Sequence, residues 1–211
     1  MLNDYPGSLL CIDDAHGVGV LGETGRGTAQ HFSLSSDNIF FTGTLSKAFG
    51  AFGGFIPADF ALAEKTARNA GVIRGASWPS VPAVAAAGAV LRLLKDNPSM
   101  LKALRANVKR ARGGLRQLGL EIADSPVPII SVRAPVDLKR VYKSLRDNGI
   151  VVRYLEPSGY SDAPPVETLR IAIFSTHSNS QSTTCLKPSV SAFSACVRLR
   201  EINLSRCKVV P

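Results

Sequence analysis

Nowhere in its 211 residues does the chain run for the roughly 20 consecutive apolar positions that a bilayer-crossing helix needs. Its opening, Met1-Leu-Asn-Asp-Tyr-Pro, also lacks the basic-then-apolar order of a secretory leader. Both absences predict a soluble, cytoplasmic protein with no membrane partner. Cysteine is scarce: three of the four, Cys185, Cys196 and Cys207, fall wide apart in the last stretch, and Cys11 lies in an apolar run. That spacing suits neither a zinc knuckle nor a dense disulfide framework, so no metal is expected and the thiols are read as structural or incidental. Acidic residues are few, 16 against 25 Lys and Arg, which leaves a net charge of +9. A surplus of this sign raises the question of a polyanionic partner. It is mostly scattered, however, and no nucleic-acid motif accompanies it. Its densest run, Lys102 to Arg112, is interleaved with Leu101, Leu104, Val108, Ala111 and Leu115 at helical spacing. A solvated helix face, with no nucleic-acid partner, is the expectation.

What is present is ample apolar material, 45% of the residues, enough for a buried core. Short apolar runs from Ser8 to Ile12 and from Asn38 to Phe41 end at Asp13-Asp14 and Thr42-Gly43-Thr44, and both read as buried strands. Gly53 to Pro57 reads as a third strand, and Asp59 as the cap of a helix from Phe60 to Ala70. Beyond the break at Pro79 to Pro82, Ala83 to Leu94 is helical, and Asn97-Pro98 opens a second helix that Gly119 ends. A smaller alternation follows: strand Ile129 to Val132, helix Val136 to Asn148 closed by Gly149, and strands Ile150 to Arg153 and Leu169 to Ile173. Three segments are expected: 1–96, a separate α+β unit over 97–177, and an atypical tail over 178–211. The tail is rich in Ser, Thr and Cys with weak apolar periodicity; disorder is one account of it, and a segment foreign to the fold is the better one.

Two stretches carry chemistry. Asp13-Asp-Ala-His-Gly-Val-Gly-Val-Leu-Gly-Glu-Thr-Gly-Arg-Gly27 sets an acidic pair and His16 just past a strand, then loads the connection with glycine. The pattern fits neither a Walker loop nor the dinucleotide fingerprint, and taken alone it is also compatible with ordinary turn chemistry. Thr42-Gly-Thr-Leu-Ser-Lys-Ala-Phe-Gly-Ala-Phe-Gly-Gly54 follows the second strand and sets one lysine, Lys47, among hydroxyls, glycines and aromatics. Burial among small and apolar groups is expected there, which disfavours the ammonium form as a Schiff-base lysine requires. In an open α/β sheet ligands gather at the carboxyl ends of strands, where both stretches fall.

Together the two stretches resemble the α-oxoamine synthases, a branch of the aspartate-aminotransferase-like superfamily that binds pyridoxal phosphate. The resemblance lies in Asp13 to His16 as a D-[DE]-x-H segment and Thr44 to Gly50 as a T-x-x-K-x-x-G segment, and it extends from about Leu9 to His177. It implies an α/β fold: part of the large, cofactor-binding domain, a mainly parallel sheet with helices, in 1–96, followed by the small α+β carboxy-terminal domain. It implies that Asp13 pairs with the pyridine nitrogen of the cofactor, that His16 hydrogen-bonds the phenolic oxygen, and that Thr44 donates to the phosphate. Lys47 would form the Schiff base and act as the base, with His16 as the other catalytic residue. Asp14, one residue on in an extended segment, is not given the role of Asp13. Arg170, in Leu169-Arg-Ile-Ala-Ile-Phe-Ser-Thr-His177, would clamp the carboxylate of the substrate with its planar fork. The implied reaction joins an amino acid to an acyl-CoA with loss of carbon dioxide, in a homodimer.

Within the family, Asp-Asp-Ala-His-Gly and Gly-Glu-Thr-Gly-Arg-Gly are nearest to the 8-amino-7-oxononanoate synthases of biotin synthesis, with the glycine C-acetyltransferases second. Serine palmitoyltransferases, with Glu-Ala-His-Ser, and 5-aminolevulinate synthases, with Glu-Val-His, fit less well. Set against the family, the chain opens inside the large domain, without the upstream segments that build much of the phosphate cup, and its end departs from the family after His177. It thus reads as a fragment, and a non-catalytic remnant is the alternative to an enzyme.

Overall fold

The structure, a computed structural model, describes Tyr5, residues 7–157, residues 166–178 and Gln181. Nearly all of the 178–211 tail, with Cys185, Cys196 and Cys207, lies outside the described residues. The chain divides into two compact units, Met1–Leu101 and Lys102–Pro211. No helix of the described residues is long and apolar enough to cross a membrane.

The first unit contains β1 (Leu10–Asp13), α1 (Thr28–His31), β2 (Ile39–Thr44), β3 (Gly54–Phe55), α2 (Phe60–Asn69), a single 3-10 turn over Gly71–Ile73, and α3 (Val81–Asp96). Its sheet runs in the order β1-β2-β3, with β1 parallel and β3 antiparallel to β2. The parallel register pairs Leu10 with Ile39 and Asp13 with Thr42. The expected strand end at Ile12 moves outward because the ladder carries on past it: the Asp14 amide donates to the Thr42 carbonyl at 2.8 Å. Asp59 caps α2 as expected, its Oδ1 accepting from the Leu62 amide at 2.7 Å. α3 begins before the expected Ala83, since Pro82 sits in the first turn, where a helix has no use for the missing amide hydrogen. Among the described residues of this unit few apolar side chains are buried: Leu21, Phe49 and Ala87. Phe52, Phe60 and the single tryptophan, Trp78, are exposed. So is Cys11, expected within a buried strand.

The second unit takes up α4 (Pro98–Gln117), inside which the division falls, and adds β4 (Ile129–Val132), α5 (Leu138–Asp147), β5 (Arg153–Leu155) and β6 (Thr168–Ala172). The sheet order is β4-β6-β5, antiparallel throughout. A contiguous apolar core joins Leu115 of α4, Ile130 and Val132 of β4, Leu138, Val141 and Leu145 of α5, and Leu169 of β6. The helical spacing read in α4 is realised, with Val108, Ala111 and Leu115 all buried. One member of its basic run departs from the expected solvated face: Arg112 is only 5% exposed. Burial lowers the pKa of its guanidinium, the neighbouring Arg116 lowers it further, and Asp124 opposes both. The helix expected from Val136 starts at Leu138 because Asp137 caps it, accepting from the Arg140 amide at 2.9 Å. The strand expected over Ile150 to Arg153 shifts to Arg153–Leu155, since the Ile150 amide is engaged in closing α5 on the Leu145 carbonyl.

Between β5 and β6, Tyr154 donates its hydroxyl to Glu167 Oε1 at 2.6 Å. That hydrogen bond, aided by burial and the carboxylate charge, pushes the phenol up to about 12. A folded-state value above the ordinary 10 means that this pair contributes stability below pH 10 and loses it as pH rises through 12. In an ultraviolet titration of tyrosinate, Tyr154 is expected to ionise late in the native protein and earlier in Glu167→Gln. Identical curves for the two proteins would refute the assignment.

Candidate active site

β1 and β2 run side by side in the same direction, so their carboxyl ends open at one edge of the first sheet, where Asp13 and Thr44 stand. Asp13 is exposed, and its Oδ1 accepts from the Ala15 amide at 3.0 Å, a tight turn that lifts the chain off the strand. His16 follows on that turn, exposed. Across the edge, Thr44 Oγ1 lies 2.7 Å from Ser46 Oγ and donates to the Gly53 carbonyl at 3.2 Å. The Leu45 amide donates to the same Gly53 carbonyl, and the Ala51 amide to the Leu45 carbonyl, both at 2.8 Å. This closes a compact loop over 45–53 that carries Lys47. Within it the Gly50 amide donates to the Lys47 carbonyl at 3.2 Å.

The expected burial of Lys47 is overturned: the side chain is exposed. The inward position of the loop belongs to Phe49, 3% exposed, whose ring meets Phe55 of β3 edge to face at 6.1 Å between centroids. Phe49 anchors the loop and leaves Lys47, two residues earlier, in reach of solvent.

The glycine-rich stretch returns to this loop. A Cβ added at Gly19 would lie 2.5 Å from the Cβ of Ala48, so the stretch rests directly against the residue after Lys47. Its two ends are held by Asp14, to which sequence reasoning gave no role. Asp14 is 6% exposed, and its carboxylate accepts from the amide and the hydroxyl of Thr28. Thr28, at the start of α1, and Ser46, beside Thr44, are the other site neighbours that the sequence did not single out; only the hydroxyl cluster Thr42-Gly-Thr-Leu-Ser46 hinted at the second.

The structure therefore brings Asp13, His16, Thr44 and Lys47 to one unit, at two adjacent strand ends. Arg170 belongs to the second unit, half-buried on the central strand β6, opposite Ser131 of β4 and Arg153 of β5. His177 lies near the end of the described chain, where its carbonyl and that of Phe174 accept from Asn107 Nδ2 at 2.8 and 2.9 Å.

The family model for aminotransferase class I and II matches residues 1–187. The chain belongs to this family. It is 37% identical over 181 residues to the 8-amino-7-oxononanoate synthase of Methylococcus capsulatus, covering 82% of this chain and 45% of the relative. To the serine palmitoyltransferase (SPT) of Bacteroides ovatus it is 32% identical over 188 residues, covering 88% and 47%. A solved structure of SPT with a pyridoxal phosphate internal aldimine superposes with a TM-score of 0.81 at 24% identity, covering 90% of this chain and 48% of that one; at this identity it shows the fold. The chain thus spans about half the length of the curated relatives it matches. The resemblance to α-oxoamine synthases drawn from the two motifs holds, and so does the fold of the pyridoxal-phosphate transferases. The poorer fit inferred for serine palmitoyltransferases does not separate them from 8-amino-7-oxononanoate synthases, since both stand among the relatives.

Proposed function

We propose that this chain carries the cofactor-holding machinery of a pyridoxal-phosphate-dependent C-acyltransferase, which joins an amino acid to an acyl-CoA with release of carbon dioxide, in the manner of 8-amino-7-oxononanoate synthase. Glycine C-acetyltransferase is the second choice of substrates. The observation that carries the reading is the placement of Asp13 and of the Thr44 to Lys47 segment at the carboxyl ends of two adjacent parallel strands. The donor set suits the cofactor: a carboxylate for a pyridine N–H, a histidine for a phenolic oxygen, hydroxyls at Thr44 and Ser46 for a phosphate, and one amine for an aldehyde.

In this reading Lys47 would hold the cofactor through Nζ, and the same amine would serve as the base for the α-proton of the amino acid. Asp13 keeps the ring nitrogen protonated. His16 steadies the phenolic oxygen and Thr44 the phosphate, while Arg170 receives the substrate carboxylate in a two-pronged hydrogen bond. When bound, the cofactor supplies an electron sink for the reacting carbon. Residues 1–96 act as part of the large domain and 97–177 as the small one. A homodimer belongs to the same reading, supported by the exposed apolar side chains of the first unit, such as Phe52, Phe60 and Trp78.

A second reading, a remnant without catalysis, is favoured by the exposure of Lys47 and the sparse burial around it. Titration of the purified chain with pyridoxal phosphate, followed by borohydride reduction and peptide mass mapping, separates the two. The wild type is expected to develop a visible band and to retain cofactor on the Lys47 peptide, and Lys47→Ala to do neither. A wild type that binds no more cofactor than Lys47→Ala leaves the remnant reading standing. Turnover of alanine with pimeloyl-CoA, glycine with acetyl-CoA and serine with palmitoyl-CoA then ranks the substrates.

A further inference from the structure

Asp13 and Asp14 adjoin in sequence and part company in space. The extended backbone at the end of β1 sends successive side chains to opposite sides, leaving Asp13 exposed and Asp14 buried. A buried carboxylate is unfavourable unless it is hydrogen-bonded. Asp14 meets this condition fully: Oδ2 accepts from the Thr28 amide at 2.8 Å and Oδ1 from the Thr28 hydroxyl. Its backbone is engaged as well, its carbonyl accepting from the amides of Gly17 and Val18 at 2.9 and 3.0 Å and its own amide donating to Thr42 of β2.

The side chain is walled in by glycines: a Cβ at Gly17 would come within 2.0 Å of Oδ1, and one at Gly27 within 1.9 Å of Oδ2. One carboxylate thus closes residues 14–28 into a ring, and inside that ring Gly19 and Gly25 are bonded at 2.7 Å and Gly27 and Leu21 at 2.9 Å. The ring bears directly on the candidate site at two places. It sets the exit from β1 that carries Asp13 and His16, and through Gly19 it forms the seat of Ala48, the neighbour of Lys47.

We infer that Asp14 is a positioning residue, clasped to Thr28 so that the closed ring presents Asp13 and His16 and braces the Lys47 loop in one arrangement. The inference rests on the reading of Lys47 as the cofactor lysine. It predicts that cutting the clasp loosens the ring and misplaces the Lys47 amine while the rest of the first unit stays folded.

The test compares wild type, Asp14→Asn, Thr28→Val and Thr28→Ser with Asp59→Ala, which removes the cap of α2 and leaves the ring alone. Amide hydrogen exchange over 17–27 reads the ring. The rate at which a small amine-reactive ester labels Lys47, referenced to Lys65 and Lys95, reads the loop without cofactor. Half-saturation by pyridoxal phosphate and the pH midpoint of its visible band read the site. Thr28→Val and Asp14→Asn are expected to speed exchange in the ring, change Lys47 labelling, shift the pH midpoint and weaken cofactor binding roughly tenfold or more, the size of a lost hydrogen bond to a charged group. Thr28→Ser, which keeps the hydroxyl, is expected to restore wild-type behaviour, and Asp59→Ala to lower the melting temperature with none of these changes. The inference falls if Thr28→Val matches wild type in ring exchange and Lys47 labelling, or if Asp59→Ala reproduces its effects. Should wild type fail to bind pyridoxal phosphate, the functional reading fails, and exchange and labelling still decide for or against the clasp.

Discussion

Arg112→Met is expected to destabilise the second unit by about 1–3 kcal/mol, because it takes the side-chain donor from three backbone carbonyls in a stretch with no ladder of its own. Nη1 of Arg112 donates to the Ala123 carbonyl at 2.7 Å, and Nη2 to the carbonyls of Val127 and Ile129 at 2.9 and 3.2 Å. The chain from 120 to 127 has no helix or strand of its own, so the guanidinium stands in for a ladder there. The guanidinium is itself held out of water, and among the described residues its Nε meets no hydrogen-bond partner, so the intact arrangement yields only a modest net gain. Removal is costly all the same, since the carbonyls of the half-buried Val127 and Ile129 lose this donor. Ile129 opens β4, which pairs with β6 beside Arg170, so the loss reaches the strand that bears a candidate substrate ligand. Arg112→Lys is expected to fall between, as an ammonium lacks the planar fork that spans the carbonyls. Urea unfolding monitored by circular dichroism measures all three proteins. A midpoint for Arg112→Met that corresponds to less than about 0.5 kcal/mol would overturn the account.

Gly27→Ala is expected to open the ring at 14–28 at a cost of roughly 2–6 kcal/mol, from strain and collision together. Gly27 sits at φ +87°, where a side chain is strained, and its added methyl would stand 1.9 Å from Asp14 Oδ2. Gly25→Ala isolates the first term. It has a similar φ of +81°, yet its nearest neighbours lie at 3.5 Å, an ordinary contact. Strain alone predicts about 1–2 kcal/mol there. The Gly27 amide, bonded to the Leu21 carbonyl, is the direct reporter by hydrogen exchange. Equal effects of the two substitutions would show that the walled-in carboxylate does not matter.

Local signals in the sequence carried much of this fold. Strand β4 runs from Ile129 to Val132 as read, Asp59 caps α2, and Asn97-Pro98 opens α4, because each depends on residues a few positions apart. The residues placed at the strand ends on the strength of the two motifs, Asp13 and Thr44, do stand there. What stayed hidden depends on distant pairings. Asp14 and Thr28 are joined across a whole loop, and nothing in either segment names the other. Arg112 looks like its basic neighbours until the backbone of 123–129 folds over it. The exposure of Lys47 follows from Phe49 winning the inward place, a contest between residues that the composition of the stretch favours alike. The start of β5 was misplaced because the same apolar residue, Ile150, suits both a strand and the closing turn of a helix.

Trp78 is the only indole in the chain, and it is 81% exposed. In the single chain its emission is therefore already close to that of indole in water, and denaturant has little left to change. A flat fluorescence trace would coexist with full collapse of the core around Ile130 and Val141, whose optical signature is carried instead by the Tyr142 and Tyr154 rings, 5.9 Å apart beside that core. The same indole gives a blue shift only when something comes to cover it, which makes it a poor thermometer of folding and a native reporter of association.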